Sequence, residues 1–385
     1  MSASPKKITK KLSKLQSLLL AIRRFFSKSK KVSPSLQRCD GNPVIEPNKD
    51  HQWESEGTFN PAAILVDGTV HLFYRALGKD GISRIGYAVS DDGIHFERLP
   101  YPVFSVDGAA QTHAPYTSPA RLIYDTVAYA SGGGWGGCED PRAVNLDGTV
   151  YLTFNMFNGW ESVRVGLAAL NNADLARQRW AWTPFSYLSR TGERHKNWVL
   201  FPEKIRGKYA LLHSVYGEND SRVQVKYMDE LTSSCAPCQR ESADPQKMPN
   251  KKIAWHEHMR SAGAPPLKTK DGWLVFYHAN DAKEPHIGYK LGAMLLDIDD
   301  PTKIIARSGK PVLEPKEWYE NDWKPGVIIA SGAVIKDGTL FIYYGGGDKT
   351  VNIATANINQ FLAELKKGRS PKLTKVAKFI SSQTL

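Results

Sequence analysis

The sequence predicts an all-β fold: a five-bladed β-propeller with a basic amphipathic N-terminal helix and a short C-terminal extension. Three observations predict it. Asp-Gly followed by alternating apolar and aromatic residues recurs as DGTVHLFYRA (67–76), DGTVYLTFNM (147–156), DGWLVFYHA (271–279) and DGTLFIYYGG (337–346), with RGKYALLHSV (206–215) as a variant copy. A second strand-like run follows each copy: 83–90, 162–170, 221–228, 286–296 and 350–356. The 31 Gly and 23 Pro, with aromatic residues in short runs, leave little helical pattern in this region.

Each element has a local reason. Asp-Gly marks a tight turn, and the period-two alternation after it is that of a half-buried strand. Successive copies start 80, 59, 65 and 66 residues apart, too far for one hairpin and right for a small sheet of several strands. Five such units read as five blades, whose loops converge on a concave site. Residues 35–385 are therefore expected to form one domain, preceded by a segment at 1–34.

The N-terminal segment differs in kind. Residues 1–31 hold ten Lys or Arg and no acid, and 360–385 hold six basic residues against one Glu. The net charge of +12 thus belongs to the ends, and the body between them is mildly acidic. Ile8, Leu12, Leu15, Leu19, Ile22 and Phe26 fall at three- and four-residue steps among lysines and arginines, the pattern of a basic amphipathic helix. Such helices lie on anionic membrane surfaces; a disordered basic extension or a helix docked on a partner is the alternative. LLLAI is too short to span a bilayer, and no cleavage site follows it. The expectation is a cytoplasmic protein with peripheral contact at the inner membrane face.

The chemistry concentrates in GGGWGGCEDPRAV (132–144). Five glycines in six positions let the backbone pass close to a bound molecule, and Pro141 stiffens the chain just after Asp140. The segment stands directly before the strand Tyr151–Phe154, and the held carboxylate suits proton transfer to a bound substrate. The other reading is an acidic surface turn. Four cysteines, 39, 138, 235 and 238, give no disulfide framework. Cys235 and Cys238 form a lone CxxC with only His256 and His258 nearby, so an incidental pair outweighs a zinc site. The basic segments lack interleaved aromatics, which argues against nucleic acid.

These motifs together resemble glycoside hydrolase family 130, from about Asn42 to Leu362. FNPAAI (59–64), FYRA (73–76), GIHFE (93–97), CEDPRAV (138–144), NWVLFPEKIRGKYALLH (197–213), AGAPPLKTKDGW (262–273), YKLGAMLLDIDDPTKIIARS (289–308) and YYGGGDKTVNIATA (343–356) carry the likeness in order. The resemblance implies a five-bladed enzyme acting on β-mannosides, with Asp140 as a proton donor that works through the mannose 3-hydroxyl. It places the terminal mannose at Asn60 and Asp348, with Arg75 in the same shell beside Glu139 and Arg142. It places phosphate at Lys196, Asn197, Arg260, His278 and Tyr289. Lys196 stands where the family has Arg, and Arg260 where it has Lys, which keeps charge but alters the geometry of anion contact.

The residues themselves favour phosphorolysis. An inverting hydrolase needs a second carboxylate to activate water, whereas phosphate is already an anionic nucleophile and needs cations and amides; Lys196, Arg260 and His278 are expected to supply the charge, and Asn197 and Tyr289 neutral hydrogen bonds. The reading is a β-mannoside phosphorylase that releases α-mannose 1-phosphate with inversion, using inorganic phosphate and no metal or other cofactor. Its alternatives are an inverting β-mannosidase, a mannosyltransferase on the same fold, or a non-catalytic glycan-binding protein. Homo-oligomerisation through the terminal segments is a further family expectation.

Overall fold

The computed structural model describes residues 36–106, 131–160, 163–192, 194–215, 224–232, 238–241, 258–280 and 288–368. All of them belong to one unit, Pro34–Leu385. The expected N-terminal helix lies outside the described residues. No helix among the described residues is long and apolar enough to cross a membrane.

The all-β expectation holds, but the five-bladed β-propeller is corrected. The strands form four hydrogen-bonded sheets, none of which closes on itself. Three repeat units keep sheets of their own, while the first two share one eight-stranded sheet. The join is a parallel pairing of Ile82 with Gly136 and Ser83 with Gly137. Its cause lies in the glycine run: Gly137 has φ +100°, and a Cβ there would stand 2.2 Å from the Ser83 carbonyl oxygen. Only glycine lets the backbones approach this closely.

Each repeat unit begins with a strand before its Asp-Gly turn, or before Arg206-Gly207 in the third unit. These five are β1 (Gly57–Val66), β2 (Gly136–Leu146), β3 (His195–Leu200), β4 (His258–Ala262) and β5 (Ile328–Lys336). β1, β2 and β5 turn back through Asp67-Gly68, Asp147-Gly148 and Asp337-Gly338, all with positive φ, into the strands read from the sequence. Positive φ at both central residues is the demand of a two-residue hairpin turn, which Asp-Gly meets. In the second strands Tyr74, Phe154 and Tyr277 lie opposite Gly86, Gly166 and Gly292, where any Cβ would meet the ring at 2.3, 2.5 and 2.2 Å. Buried hydrophobic clusters fill the spaces between neighbouring units, such as Phe73, Tyr87, Leu152 and Phe154 between the first two.

Two further elements fasten the ends of this body. Gln37–Arg38 pairs antiparallel with Thr350–Asn357. The C-terminal helix Ile358–Lys367, capped by Asn357, buries Ile358, Phe361, Leu362 and Leu365 at helical spacing.

All five first strands carry a one-residue irregularity at a matching place. The register slips between Phe59 and Ala62, Glu139 and Arg142, Lys196 and Val199, Met259 and Ser261, and Ala330 and Gly332. Such a bulge turns a side chain out of the strand's alternation and recurs beside active sites. The residues that fall at these slips include Asn60, Asp140, Asn197, Arg260 and Ser331.

Candidate active site

The bulges explain how the site is built. Asn60, Asp140 and Asn197 have φ of +48°, +47° and +58°, a left-handed conformation inside a strand. Asn and Asp tolerate it better than most residues, and surrounding packing holds it. Asp140 therefore lies within β2, at its bulge, and not in a loop ahead of a strand as the sequence suggested.

The residue is almost fully enclosed, 8% exposed, and both carboxylate oxygens have donors. Oδ1 accepts from Asn60 Nδ2 at 2.6 Å and from Arg75 Nη1 at 3.2 Å. Oδ2 accepts from Asn155 Nδ2 at 3.2 Å. Burial pushes the Asp140 pKa up, but the cations of Arg75, Lys196 and Arg142 and the Asn60 bond outweigh it and hold the group well below the usual carboxylate range. Asp140 is thus ionised in the free protein.

Glu139 serves its neighbours. It is fully buried and accepts from Arg75 Nη2 at 2.9 Å, Ser131 Oγ at 2.7 Å and Lys196 Nζ at 3.1 Å. Arg75 is also tied to Ser83 and the Ser131 carbonyl, and its guanidinium lies 4.7 Å from the centre of the Phe59 ring. Burial lowers the Arg75 pKa, yet Glu139, Asp140 and Asp348 raise it by more. Lys196 Nζ also sits 5.0 Å from the centre of the Trp160 ring.

Arg142 grips backbone. Its Nε donates to the Gly263 carbonyl at 2.8 Å, and Nη1 donates to the carbonyls of Asp140 and Pro141 at 2.9 and 3.1 Å. Nη2 has no partner among the described residues. Burial brings its pKa down to about 10. Asp348, with φ +52°, accepts from Lys324 Nζ at 3.0 Å and lies within electrostatic reach of Arg75.

The expected phosphate residues divide. Asn197 joins the Asp140 cluster through Asn155: its backbone N–H donates to Asn155 Oδ1 at 2.7 Å, and its Oδ1 accepts from Asn155 Nδ2 at 3.1 Å. Asn197 Nδ2 takes no part in these two bonds. His278 is fully buried and accepts the Ala330 N–H on Nε2 at 2.8 Å, while its Nδ1 faces Ser261 Oγ at 3.1 Å. Burial, with Arg142 nearby, lowers its pKa to about 3. The ring is neutral, so it does not supply the positive charge that the sequence reading assigned to it. Tyr289 is half-buried, fixed through its backbone to Gly326, and lies near Lys324. Arg260 stands at the β4 bulge.

Sequence reading missed Ser131, Asn155 and Lys324. Asn155 had a signal: it stands eight residues after Asp147, as Arg75 stands eight after Asp67. Of the suspected zinc ligands, Cys235 and His256 lie outside the described residues, and Cys238 and His258 fall in two different sheets.

A buried carboxylate ringed by amides and cations, on an all-β scaffold, is equipment for acid-assisted cleavage of a glycosidic bond. The chain belongs to glycoside hydrolase family 130, whose model, described as β-1,4-mannooligosaccharide phosphorylase, matches residues 125–367. It is 35% identical to a 1,2-β-oligomannan phosphorylase of Thermoanaerobacter sp. (strain X514), over 83% of this chain and 96% of that one. It is 31% identical to a β-1,2-mannobiose phosphorylase of the same organism, with the same coverage. Among solved structures, one matches at TM-score 0.65 and 26% identity, covering 85% of this chain and 95% of that one. It was reported with the finding that this family of mannoside phosphorylases contains hydrolases targeting β-1,2-mannosidic linkages in Candida mannan.

Proposed function

We propose that this protein is a β-mannoside phosphorylase that transfers a terminal mannosyl group from a β-1,2-linked mannoside to inorganic phosphate, giving α-mannose 1-phosphate. One observation carries the choice of phosphorolysis. Among the described residues the other site carboxylates are ion-paired: Glu139 with Arg75 and Lys196, and Asp348, through Oδ2, with Lys324. A hydrolase needs a carboxylate open to a water proton, whereas phosphate needs the cations and amides this site offers. The β-1,2 linkage is supported by the names of the two relatives.

Asp140 moves the proton. Phosphate attacks the anomeric carbon from the face opposite the leaving oxygen, the glycosidic bond breaks, and the configuration inverts. The proton that hydrogen phosphate loses in forming the ester is balanced by one gained by the leaving oxygen. Asp140 handles that proton through the mannose 3-hydroxyl. A bound anion offsets the field of Arg75, Lys196 and Arg142 and so raises the carboxylate's proton affinity. In the synthetic direction the ionised Asp140 is already the base required.

Asn60 and Asp348 hold the terminal mannose, with Arg75 beside them. Asn197, Lys196, Arg260 and Tyr289 receive phosphate, and no metal is needed. Glu139, Arg142 and His278 act by position: Glu139 fixes two cations, Arg142 fixes the Asp140 backbone, and neutral His278 fixes the β5 backbone at Ala330. The protein is cytoplasmic, and residues 1–31 make a peripheral contact with anionic membranes. Equal sedimentation on anionic vesicles with and without that segment would end the membrane reading. Self-association through the terminal segments belongs to the same reading and is checked by mass in solution.

The test is synthesis. The protein is incubated with α-mannose 1-phosphate and a panel of acceptor sugars, with phosphate release as the signal and Asp140→Asn in parallel. Release that needs both an acceptor and Asp140 is expected. Mannose freed from β-mannosides in phosphate-free buffer, with no synthesis, would instead identify an inverting β-mannosidase.

A further inference from the structure

We propose that Trp323 is a sugar-binding platform at the mouth of the site, stacking on the pyranose next to the terminal mannose. This rests on the β-mannoside reading above. The indole is 50% exposed, a large apolar ring facing solvent beside an otherwise enclosed polar site.

Its neighbours place it at the rim. The indole edge abuts Gly133, where a Cβ would lie 2.8 Å from the ring. At Gly132, one residue earlier, a Cβ would lie 3.1 Å from Arg75 Nη1. The glycine turn therefore lies against both Arg75 and Trp323. The residue after Trp323 is Lys324, whose Nζ holds Asp348.

The platform is also held in place. Gly326 N–H donates to Asn321 Oδ1 at 2.9 Å, and Lys324 N–H donates to the Gly347 carbonyl at 3.1 Å. Tyr289 N–H donates to the Gly326 carbonyl at 2.9 Å, and Asp322 pairs with Lys349 at 3.3 Å. A segment fixed before binding lowers the cost of ordering the platform.

The occupant follows from the site's depth. Asn60, Asp140 and Asp348 are buried, so the sugar they hold is the end of the glycan. The remainder must leave past the rim, and its first residue is the leaving-group sugar. The axial hydrogens on C1, C3 and C5 of a β-mannopyranose share one face. They carry slight positive charge and suit the negative face of an indole.

Acceptor kinetics in synthesis test this, using α-mannose 1-phosphate with mannose and with β-1,2-mannobiose, on the wild type, Trp323→Ala and Trp323→Tyr. Trp323→Ala should raise the acceptor KM about fivefold to tenfold, Tyr should restore most of it, and the donor KM should hold within about twofold. An unchanged acceptor KM in Trp323→Ala, or a donor KM rising in step with it, overturns the proposal. If the wild type turns over no acceptor, the phosphorylase reading fails separately. Calorimetric titration with β-1,2-mannotriose then decides the platform: weaker binding by Trp323→Ala supports it, and equal or absent binding in both proteins overturns it.

Discussion

The hairpin turns and the strand bulges use the same backbone conformation for opposite ends. Asp67, Asp147 and Asp337 have φ of +49°, +51° and +48° in exposed two-residue turns, each followed by glycine. Asn60, Asp140 and Asn197 have nearly the same φ inside strands, two of them buried. In the turns, local chemistry suffices, because Asp-Gly accepts a type I′ turn on its own. In the bulges contacts from elsewhere in the chain join in, such as Asn155 on the Asn197 amide. The strain that ends a strand in one region aims a functional side chain in the other.

The strongest way to break the comparison is to change only the carboxyl oxygen. Asp140→Asn keeps the shape and the tolerance for positive φ but cannot carry the proton. Turnover should fall by about three orders of magnitude, within the usual range for loss of a general acid. Asp147→Asn, in the turn seven residues on, should leave turnover unchanged within about twofold and stability within ~0.5 kcal/mol. Comparable losses in both would show that the backbone, not the carboxyl chemistry, sets activity at Asp140.

Asn155 comes next, since it bridges the acid and the expected phosphate donor. Asn155→Ala frees both Asp140 Oδ2 and Asn197, so kcat should fall about 10²-fold with a rise in the phosphate KM. Asn155→Asp adds a negative charge beside Asp140 and should weaken phosphate further. An effect on kcat alone, with phosphate KM untouched in both variants, would remove Asn155 from the anion side.

Sequence legibility divides along the same line. The turns were readable because Asp-Gly states its conformation locally, and the strands after them follow period two. The strand before each turn was hidden, as FNPAAI and CEDPRAV contain proline and polar residues that break the alternation at the bulge. The join of the first two units was hidden as well, because glycines 136 and 137 announce freedom without naming the strand that uses it. Asp140, Arg75 and Glu139 were visible as motif residues, while their mutual bonds depend on register. His278 was misread in charge because its full burial, with Arg142 nearby, disfavours the imidazolium, and burial depends on strands distant in the chain.

That buried histidine gives a pH signature absent from the turns. In the unfolded chain His278 takes a proton below about pH 6.5, whereas in the fold it stays neutral down to about 3. The unfolded state binds more protons in that window, so stability should fall as pH drops from 6.5 toward 3, by up to about 1.4 kcal/mol per pH unit for this group. His71, lowered to about 4 by burial, adds in the same direction. Denaturant midpoints of His278→Gln across this window should show a shallower slope than the wild type. Parallel slopes would mean that His278 is protonated in the fold.

The smallest effect isolates backbone from side chain. Asn197→Gly and Asp337→Gly both place glycine where φ is already positive, which relieves local strain and costs some unfolded-chain entropy. Each should shift stability by less than ~1 kcal/mol. Only Asn197→Gly removes the amide that Asn155 orients, so it alone should raise the phosphate KM, by about tenfold for one lost hydrogen bond to an anion. If the two variants behave alike in phosphate kinetics, the β3 bulge shapes the backbone without presenting a ligand, and the functional use of left-handed residues at the bulges narrows to Asn60 and Asp140.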